Sequence, residues 1–431
     1  MNSSRLLAYI IGGVVAFVLI IIGLSIMGVF SGSGGQAVIP LVGSLTVWGI
    51  QDDSGIWHEI IQEFQKKHQL ARINYYRLYE GTYEETLIDR IAAGAGPDVF
   101  MLPNDLIAEH KDKIALFPQS QFGFFVKDYQ NVFVDGLYEE LTTDKGEIIG
   151  FPLFLDTPVL FYNKDILNSA GYALVPNNWE DLLPLVKQFT VKTQPRDIVK
   201  SGLAIGTYRN VNNAFDIVSS LFLQFGDPII TFRPTYRVTL ETNAVAVFNF
   251  YTSFANPSSD NFAWTSRLTQ SLDAFAQGDA AMAIGFAQDI DRIRARSPHL
   301  AFGVAPFPQP KGIRRPVVYG RYFFPAVYKN SSNQRLAWEF VSYVTRGEGA
   351  NIYIEKTKRP PARRDIIAAG GQTAQDDVFY RQSLIAREWY IPNGSATRLI
   401  FEDAVESIVT RSATVEEGLR LMKDKMRQFI P

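Results

Sequence analysis

Length, composition and charge already narrow the classes of protein to which this chain can belong. Its 431 residues are too many for one compact core and predict two domains of ordinary size. The formal net charge of −2 leaves no excess of positive charge for binding nucleic acid. The chain has no cysteine, which excludes disulfide bonds, thiolate catalysis, cysteine-based zinc sites and a lipidated N-terminal cysteine.

The N-terminal residues 6–30 carry no charged side chain and are almost entirely apolar. A helix of that length, rising about 1.5 Å per residue, can cross a hydrocarbon core of about 30 Å. A cleaved signal peptide is the alternative, but its apolar region usually has about 7–15 residues and ends in a small-residue cleavage site. We therefore predict a retained transmembrane helix, followed by a Gly/Ser tether that ends at Gln36.

The few charges beside this segment predict its orientation. Arg5 and the α-amino group precede it, and the next basic residue is Lys66. Positive charge is retained on the cytoplasmic side of membranes, so we expect a cytoplasmic N-terminus. The predicted protein is a single-pass protein of the cell membrane whose main domain is extracellular.

Strands and helices alternate in the pattern that follows the tether. Strands are predicted at residues 44–49, 72–78 and 98–102, and helices with apolar residues at helical spacing follow the first two. Thr82 and Glu85 match a capping box at the start of the second helix. The alternation predicts a parallel α/β sheet, in which ligands bind at the loops after the carboxyl ends of the strands.

Residues 150–167, GFPLFLDTPVLFYNKDIL, enclose the single carboxylate of Asp156 between two apolar runs. Pro158 has no N–H and favours an extended conformation in the residue before it, so two strand segments can change direction there. The stretch is therefore a candidate hinge with an acid at the joint. An ordinary strand with a proline bulge is the alternative.

Further along the chain, the signals for secondary structure are more scattered. A helix containing Pro184 is predicted to start within residues 177–181, and Thr414 matches a capping box for the last helix. Ser332 is predicted to cap an amphipathic helix. The remaining predictions are a polar loop at residues 194–200 and strands at residues 202–207, 281–284 and 317–328.

Several of these segments together resemble one family. AAGAGPDVF at residues 92–100, the stretch at 150–167 followed by the Trp179 helix, FAQGDAAMAIGF at 275–286 and the helix at 332–344 stand in its order. They resemble the bacterial extracellular solute-binding proteins of family 1, the maltose-binding-protein-like receptors of sugar ABC importers. The resemblance runs from about Ser44 to the C-terminus. It implies a two-lobed, type II periplasmic-binding-protein-like fold, with an α/β sheet in each lobe and three crossings between the lobes.

Under this resemblance the chain divides into an anchor and two lobes. The anchor and tether occupy residues 1–36. We place the N-terminal lobe at residues 37–155 plus 325–358, and the C-terminal lobe at residues 156–324 plus 359–431. The three crossings are expected near Asp156, between Tyr322 and Pro325, and between Arg359 and Pro361.

The family implies a ligand enclosed between the lobes, here a small carbohydrate bound without cofactor or metal. Sugars have hydroxyl groups and apolar faces, so their sites need polar side chains for hydrogen bonds and aromatic rings for stacking. The candidates at predicted cleft positions are Trp48, Asp53, Glu80, Asn104, Asp156, Trp264, Phe286, Arg321, Tyr322 and Trp389.

Each candidate also has a purely structural interpretation. Asp53 can be a helix N-cap, and Glu80 and Asn104 can be turn or cap residues. Arg321 can pair with Asp156 rather than with a ligand. The tryptophans Trp48, Trp264 and Trp389, together with Phe286, can be core residues.

The predicted function is capture of the carbohydrate by domain closure, with delivery by a monomer to the permease subunits of an ABC importer. A sensor subunit for a membrane partner is the alternative. A hydrolase would need two carboxylates about 5–10 Å apart across the sugar bond, and acids such as Glu80 and Asp156 are available. However, the four histidines show no metal spacing and no nucleophile motif occurs, so we predict no enzyme and no catalytic residue.

Overall fold

The computed structural model describes residues 40–50, 52–226, 229–231, 236–240 and 242–430. The predicted transmembrane segment at residues 6–30 lies outside these ranges. Within them, no helix is long and apolar enough to cross a membrane.

Strands and helices alternate through much of the described chain. The strands are β1 (Gly43–Gly49), β2 (Ala71–Arg77), β3 (Val99–Pro103), β4 (Val159–Asn163), β5 (Val191–Gln194), β6 (Asp197–Lys200), β7 (Ile230–Thr231), β8 (Arg237–Val238), β9 (Met282–Gly285), β10 (Phe302–Pro306), β11 (Val318–Tyr319), β12 (Phe323–Val327) and β13 (Ala386–Arg387). The helices are α1 (Ser54–Lys67), α2 (Tyr83–Ala92), α3 (Ile107–His110), α4 (Gln119–Phe122), α5 (Val126–Val132), α6 (Lys164–Ser169), α7 (Trp179–Phe189), α8 (Ala214–Gln224), α9 (Thr242–Ser253), α10 (Ser271–Ala276), α11 (Asp289–Arg296), α12 (Gln334–Thr345), α13 (Glu348–Thr357), α14 (Arg364–Ala369), α15 (Ala374–Ser383), α16 (Gly394–Val409) and α17 (Val415–Arg427).

The first lobe is built on a four-stranded sheet of order β12-β3-β1-β2. Strand β1 runs parallel to β2 and β3, as the sequence predicts, and β12 joins the edge in the antiparallel direction. The apolar face of α1 covers this sheet because Trp57, Ile60, Ile61 and Phe64 recur at helical spacing. The carboxyl ends of β1, β2 and β3 therefore lie at one edge of the sheet.

The second lobe has a sheet of order β10-β4-β9, and all of its pairings are antiparallel. Every residue of the central strand β4 is buried. These strands share one apolar core with residues of α7, α8, α9, α16 and α17. The predicted α/β composition of this lobe is confirmed, and the two-lobed fold follows from two sheets with separate faces to bury.

Three chain segments lie side by side between the lobes. The backbones of Asp156 and Arg321 exchange both hydrogen bonds, each of 2.8 Å from nitrogen to oxygen, and Leu155 N donates to Pro360 O at 2.9 Å. Before this point Leu153 N donates to Phe323 O beside the first sheet, and from residue 159 the chain runs in the second sheet. The arrangement fits three crossings, and the lobe boundaries stay predictions.

Two predictions for residues 191–207 are wrong. Residues 194–200 do not form a simple loop, because β5 and β6 pair there as an exposed hairpin. Residues 202–207 form no strand. The residue before them, Ser201, makes an isolated β-bridge to Ala280. Gly202 lies so close to helix α7 that a Cβ would stand 2.0 Å from Val186 O, and Gly206 has φ of +116°. Glycines at a close approach and at a positive φ interrupt the strand pattern.

The helix caps agree only partly with the predicted motifs. Thr414 forms the predicted capping box with Glu417 at the start of α17. Thr82 makes no side-chain capping bond, so the capping box predicted for α2 is wrong. The N-cap of α12 is Asn333 rather than Ser332, because the helix begins one residue later than expected.

A buried amide ties the first crossing to the second lobe, and we expect its loss to destabilise the protein. Gln382 is 3% exposed; its Nε2 donates to Thr157 Oγ1 at 2.8 Å and to Pro158 O at 2.7 Å, while its Oε1 accepts from Phe307 N at 2.6 Å. Gln382→Leu leaves these buried groups unpaired and should lower the free energy of unfolding by about 2–4 kcal/mol in urea titrations. The exposed Gln372→Leu should change it by less than about 0.5 kcal/mol. Equal effects of the two variants would contradict a tie at the hinge.

Candidate ligand-binding site

A cavity of about 310 Å³, here called the first cavity, opens at the carboxyl ends of β1, β2 and β3. Ile50, Glu80 and Pro103 follow or end those strands. Its lining is Ile50, Glu80, Tyr83, Glu84, Pro103, Asp105, Leu106, Arg321, Phe323, Gly394, Ser395 and Arg398. Residues of α16 thus face the first sheet across this cavity, which lies between the lobes.

A second cavity of about 280 Å³ lies beside the first and belongs mainly to the second lobe. It is lined by Tyr208, Val211, Asn213, Ala214, Phe215, Asp216, Arg321, Arg398, Leu399 and Glu402. Arg321 and Arg398 line both cavities. We call the two cavities together the interlobe cleft.

Arg321 stands at the centre of this cleft. Its backbone is paired with Asp156 at the crossing, and its guanidinium carbon lies 4.2 Å from the centre of the Phe286 ring. The Nε and Nη2 atoms are buried, and neither donates a hydrogen bond to any described residue. A buried donor without a partner is costly, so these atoms call for an acceptor from a ligand or from water.

Asp156 supplies an acceptor beside the same crossing. The residue is fully buried; its Oδ1 accepts from Thr157 N at 3.1 Å and from Ala287 N at 3.4 Å. No described group donates to its Oδ2. Burial raises the pKa of this carboxyl to about 6, although the nearby charges of Arg321 and Arg359 lower it.

The first turn of α8 brings a second buried carboxylate to the cleft wall. Asp216 is 1% exposed, lines the second cavity and has no described donor near its Oδ1. Burial raises the pKa of Asp216, and the charges of Arg398 and Arg321 oppose this effect. The lining of the cleft therefore contains an unpaired acceptor on Asp216 as well as the unpaired donors of Arg321.

Two contacts join the lobes directly at the rim of the first cavity. Arg398 donates to Asp105 Oδ2 from Nε at 3.0 Å and from Nη2 at 2.8 Å. On α3, Glu109 accepts hydrogen bonds from the Asn393 side chain and, at 2.9 Å, from Gly394 N. These contacts place the N-terminal turn of α16 against the loop that follows β3.

Four of the predicted site residues come together in the structure. Glu80 and Arg321 line the first cavity, while Asp156 and Phe286 lie against Arg321. Trp48, only 9% exposed, is near the end of β1, two residues before Ile50 of the cavity wall.

The other predicted site residues have structural partners. Asp53 is the N-cap of α1 and accepts from Gly55 N at 2.7 Å. Asn104 is buried and donates to Gly320 O at 3.2 Å, and the buried Tyr322 donates to Glu140 at 3.3 Å. For these residues a role in ligand binding stays a prediction.

Trp264 and Trp389 belong to the apolar core of the second lobe. Trp264 is fully buried and donates to Asn210 at 3.3 Å, and Trp389 stacks on Phe401 with 5.9 Å between ring centres. Both match the core interpretation, and neither lines one of the two cavities.

Sequence reasoning missed several polar residues of the cleft, among them Asp105, Asp216 and Arg398. Asp105 adjoins the predicted Asn104 in the loop that follows β3. Asp216 and Arg398 stand in helices whose faces the sequence pattern cannot assign. A signal for α16 exists, because Pro392-Asn393-Gly394 is typical of a helix start. Among the described residues, no group of three or more His, Asp or Glu is arranged to hold a metal ion.

A comparison with protein families decides the assignment. The model of the bacterial extracellular solute-binding proteins matches residues 48–351 of this chain. The chain belongs to this family. The resemblance seen in the sequence is thereby confirmed, as is the prediction that the protein is an extracellular binding protein rather than an enzyme.

The chain is also similar to individual members of the family. It is 27% identical over 137 residues to the galactooligosaccharide-binding protein of Bacillus subtilis, a match that covers 32% of this chain and 31% of that protein. It is 22% identical to the sn-glycerol-3-phosphate-binding periplasmic protein of Escherichia coli over 82% of this chain and 84% of that protein. The sugar-binding protein MalE of Xanthomonas citri has the same fold, with a TM-score of 0.75, 17% identity and coverage of 90% and 97%.

The raised pKa of Asp156 predicts a pH-dependent cost to stability. Because the folded protein holds this proton more tightly than an unfolded chain does, stability falls as the pH rises from 3.8 to about 6 and stays lower above that pH. Asp156→Asn keeps an acceptor for Thr157 N and removes the charge, so at about pH 7.5 it should raise the free energy of unfolding by up to about 3 kcal/mol. The gain should vanish near pH ~4 in urea titrations. A loss of similar size at both pH values would contradict the assignment.

Proposed function

We propose that this solute-binding protein captures a small carbohydrate in the interlobe cleft by domain closure and delivers it to an ABC importer. The observation that carries the proposal is that hydrogen-bond donors and acceptors without partners occur together around Arg321. The donors are Nε and Nη2 of Arg321, and the acceptors are Oδ2 of Asp156 and Oδ1 of Asp216.

A hydroxyl group fits this mixture because it both donates and accepts hydrogen bonds. An anion would satisfy Arg321, but it would be repelled by the carboxylates of Asp156 and Asp216. A cation would satisfy the carboxylates, but it would be repelled by the positive charge of the Arg321 guanidinium. A neutral, hydroxyl-rich molecule meets neither repulsion and can pair with all three side chains.

The similar proteins support a hydroxyl-rich ligand. One is named for galactooligosaccharides, one for sn-glycerol 3-phosphate, and MalE is described as sugar-binding. Their names share polyhydroxyl chemistry rather than one ligand. The carboxylates at the cleft wall favour the uncharged members of that class for this chain.

Closure would follow from contacts that the ligand makes with both lobes. Glu80 approaches from the first lobe and Asp216 from the second, and Arg321 lies at the crossing between them. A ligand that binds these groups together favours the closed arrangement by its difference in affinity for the two arrangements. Residues 6–30 as a transmembrane anchor would keep this capture next to the permease subunits.

Removal of the central guanidinium should test the site. We expect Arg321→Met to weaken binding of the carbohydrate ligand by about 2–4 kcal/mol, because a desolvated charge-assisted pair is lost. Isothermal calorimetry against a panel of mono- and oligosaccharides would measure this effect. The exposed Arg335→Met on α12 is the matched control and should bind as the parent does.

Two outcomes would contradict this proposal. The first is a parent protein that gives no heat and no thermal shift with any saccharide but binds peptides or polyamines. The second is equal affinity in Arg321→Met and the parent, which would place the ligand away from the cleft.

A further inference from the structure

The contacts at the rim of the first cavity are made between protein groups. Glu109 of the first lobe accepts from Gly394 N at 2.9 Å and from the Asn393 side chain, and Asp105 pairs with Arg398 at 2.8 Å. The residues on the first side follow β3, and those on the other side belong to the start of α16. Each bond therefore joins one lobe to the other.

The carboxylate of Glu109 lies where the N-terminus of a helix favours negative charge. The first N–H groups of a helix have no partner within the helix, and negative charge is favourable beside them. Asn393 caps α16 from within its own lobe by accepting from Ala396 N at 2.7 Å. Glu109 adds a carboxylate from the opposite lobe to the same helix end. Both Glu109 and Asp105 are only partly exposed, which limits the screening of these bonds by water.

Gly394 permits this approach through its missing side chain. A Cβ at this position would stand 2.8 Å from Asp105 O and 3.0 Å from Leu106 Cδ2, both in the opposite lobe. Its φ is not in the positive region that disfavours other residues. An added methyl group would consequently be tolerated by α16 itself and would press the lobes apart.

We propose that Asp105, Glu109 and Gly394 form an interlobe latch that holds the N-terminal turn of α16 against the first lobe without ligand. They are positioning residues, since they act by setting the fraction of molecules that are closed. The apparent dissociation constant of a ligand that needs the closed arrangement is its intrinsic value divided by that fraction. The latch therefore sets affinity by a factor common to every ligand, whereas residues that contact the ligand change one ligand relative to another.

Distance measurement on the full chain tests the latch directly. The chain has no cysteine, so Asp89→Cys on α2 and Ser412→Cys after α16 accept one spin label each, and both positions are exposed. Pulsed electron resonance would give the distribution of label distances without ligand. We expect the doubly labelled parent to populate the short, closed distance and Gly394→Ala to lose most of that population.

Two further variants control for general effects of the substitutions. Gly418→Ala in α17 places its Cβ 3.2 Å from the flexible Ile408 side chain of the same lobe and should keep the parent distribution. Glu109→Ala removes the latch from the first lobe and should shift the distribution in the same direction as Gly394→Ala. Identical distributions for the parent and both latch variants, each folded by circular dichroism, would overturn the proposal.

The affinity arm of the test rests on the proposed function. With two saccharides that bind the parent, Gly394→Ala should weaken both by the same factor, on the order of tenfold. Unequal factors would overturn the role in positioning, because they would show contact with the ligand. If no saccharide binds, the proposed function fails while the distance measurement still decides whether the latch exists.

Discussion

One backbone pairing organises this molecule, the two hydrogen bonds between Asp156 and Arg321. The pair lies between the two sheets, where the first and second predicted crossings run side by side. It also brings together the buried carboxylate of Asp156 and a guanidinium whose Nε and Nη2 atoms are buried. The backbone pairing places both residues beside the interlobe cleft, and Arg321 lines both of its cavities.

Much of the fold could be predicted from the sequence because its local patterns are strong. The parallel strands of the first lobe alternate with amphipathic helices, and the proline-interrupted stretch around Asp156 differs from everything around it. The antiparallel order of the second sheet could not be predicted, because β4 pairs with strands that follow it by more than a hundred residues. Such pairings depend on the whole lobe rather than on local pattern.

The candidate site shows the same contrast between local sequence patterns and tertiary packing. Arg321 and Asp156 could be named as candidates because the family resemblance places crossings near them. Asp216 and Arg398 could not, because only tertiary packing determines which face of α8 or α16 turns to the cleft. The aromatic candidates were the least informative. A tryptophan fits a core as well as a sugar site, and Trp264 and Trp389 pack in the core.

One of the three segments that meet between the lobes contains two consecutive prolines, Pro360 and Pro361. Their nitrogens carry no hydrogen, and both residues are buried, so neither position leaves a backbone donor to be satisfied in the interior. Their rings also fix φ at about −65°, which removes backbone freedom from this segment. Under the proposed closure, a change of backbone angle in this segment would therefore have to be taken up by the residues on either side of the two prolines.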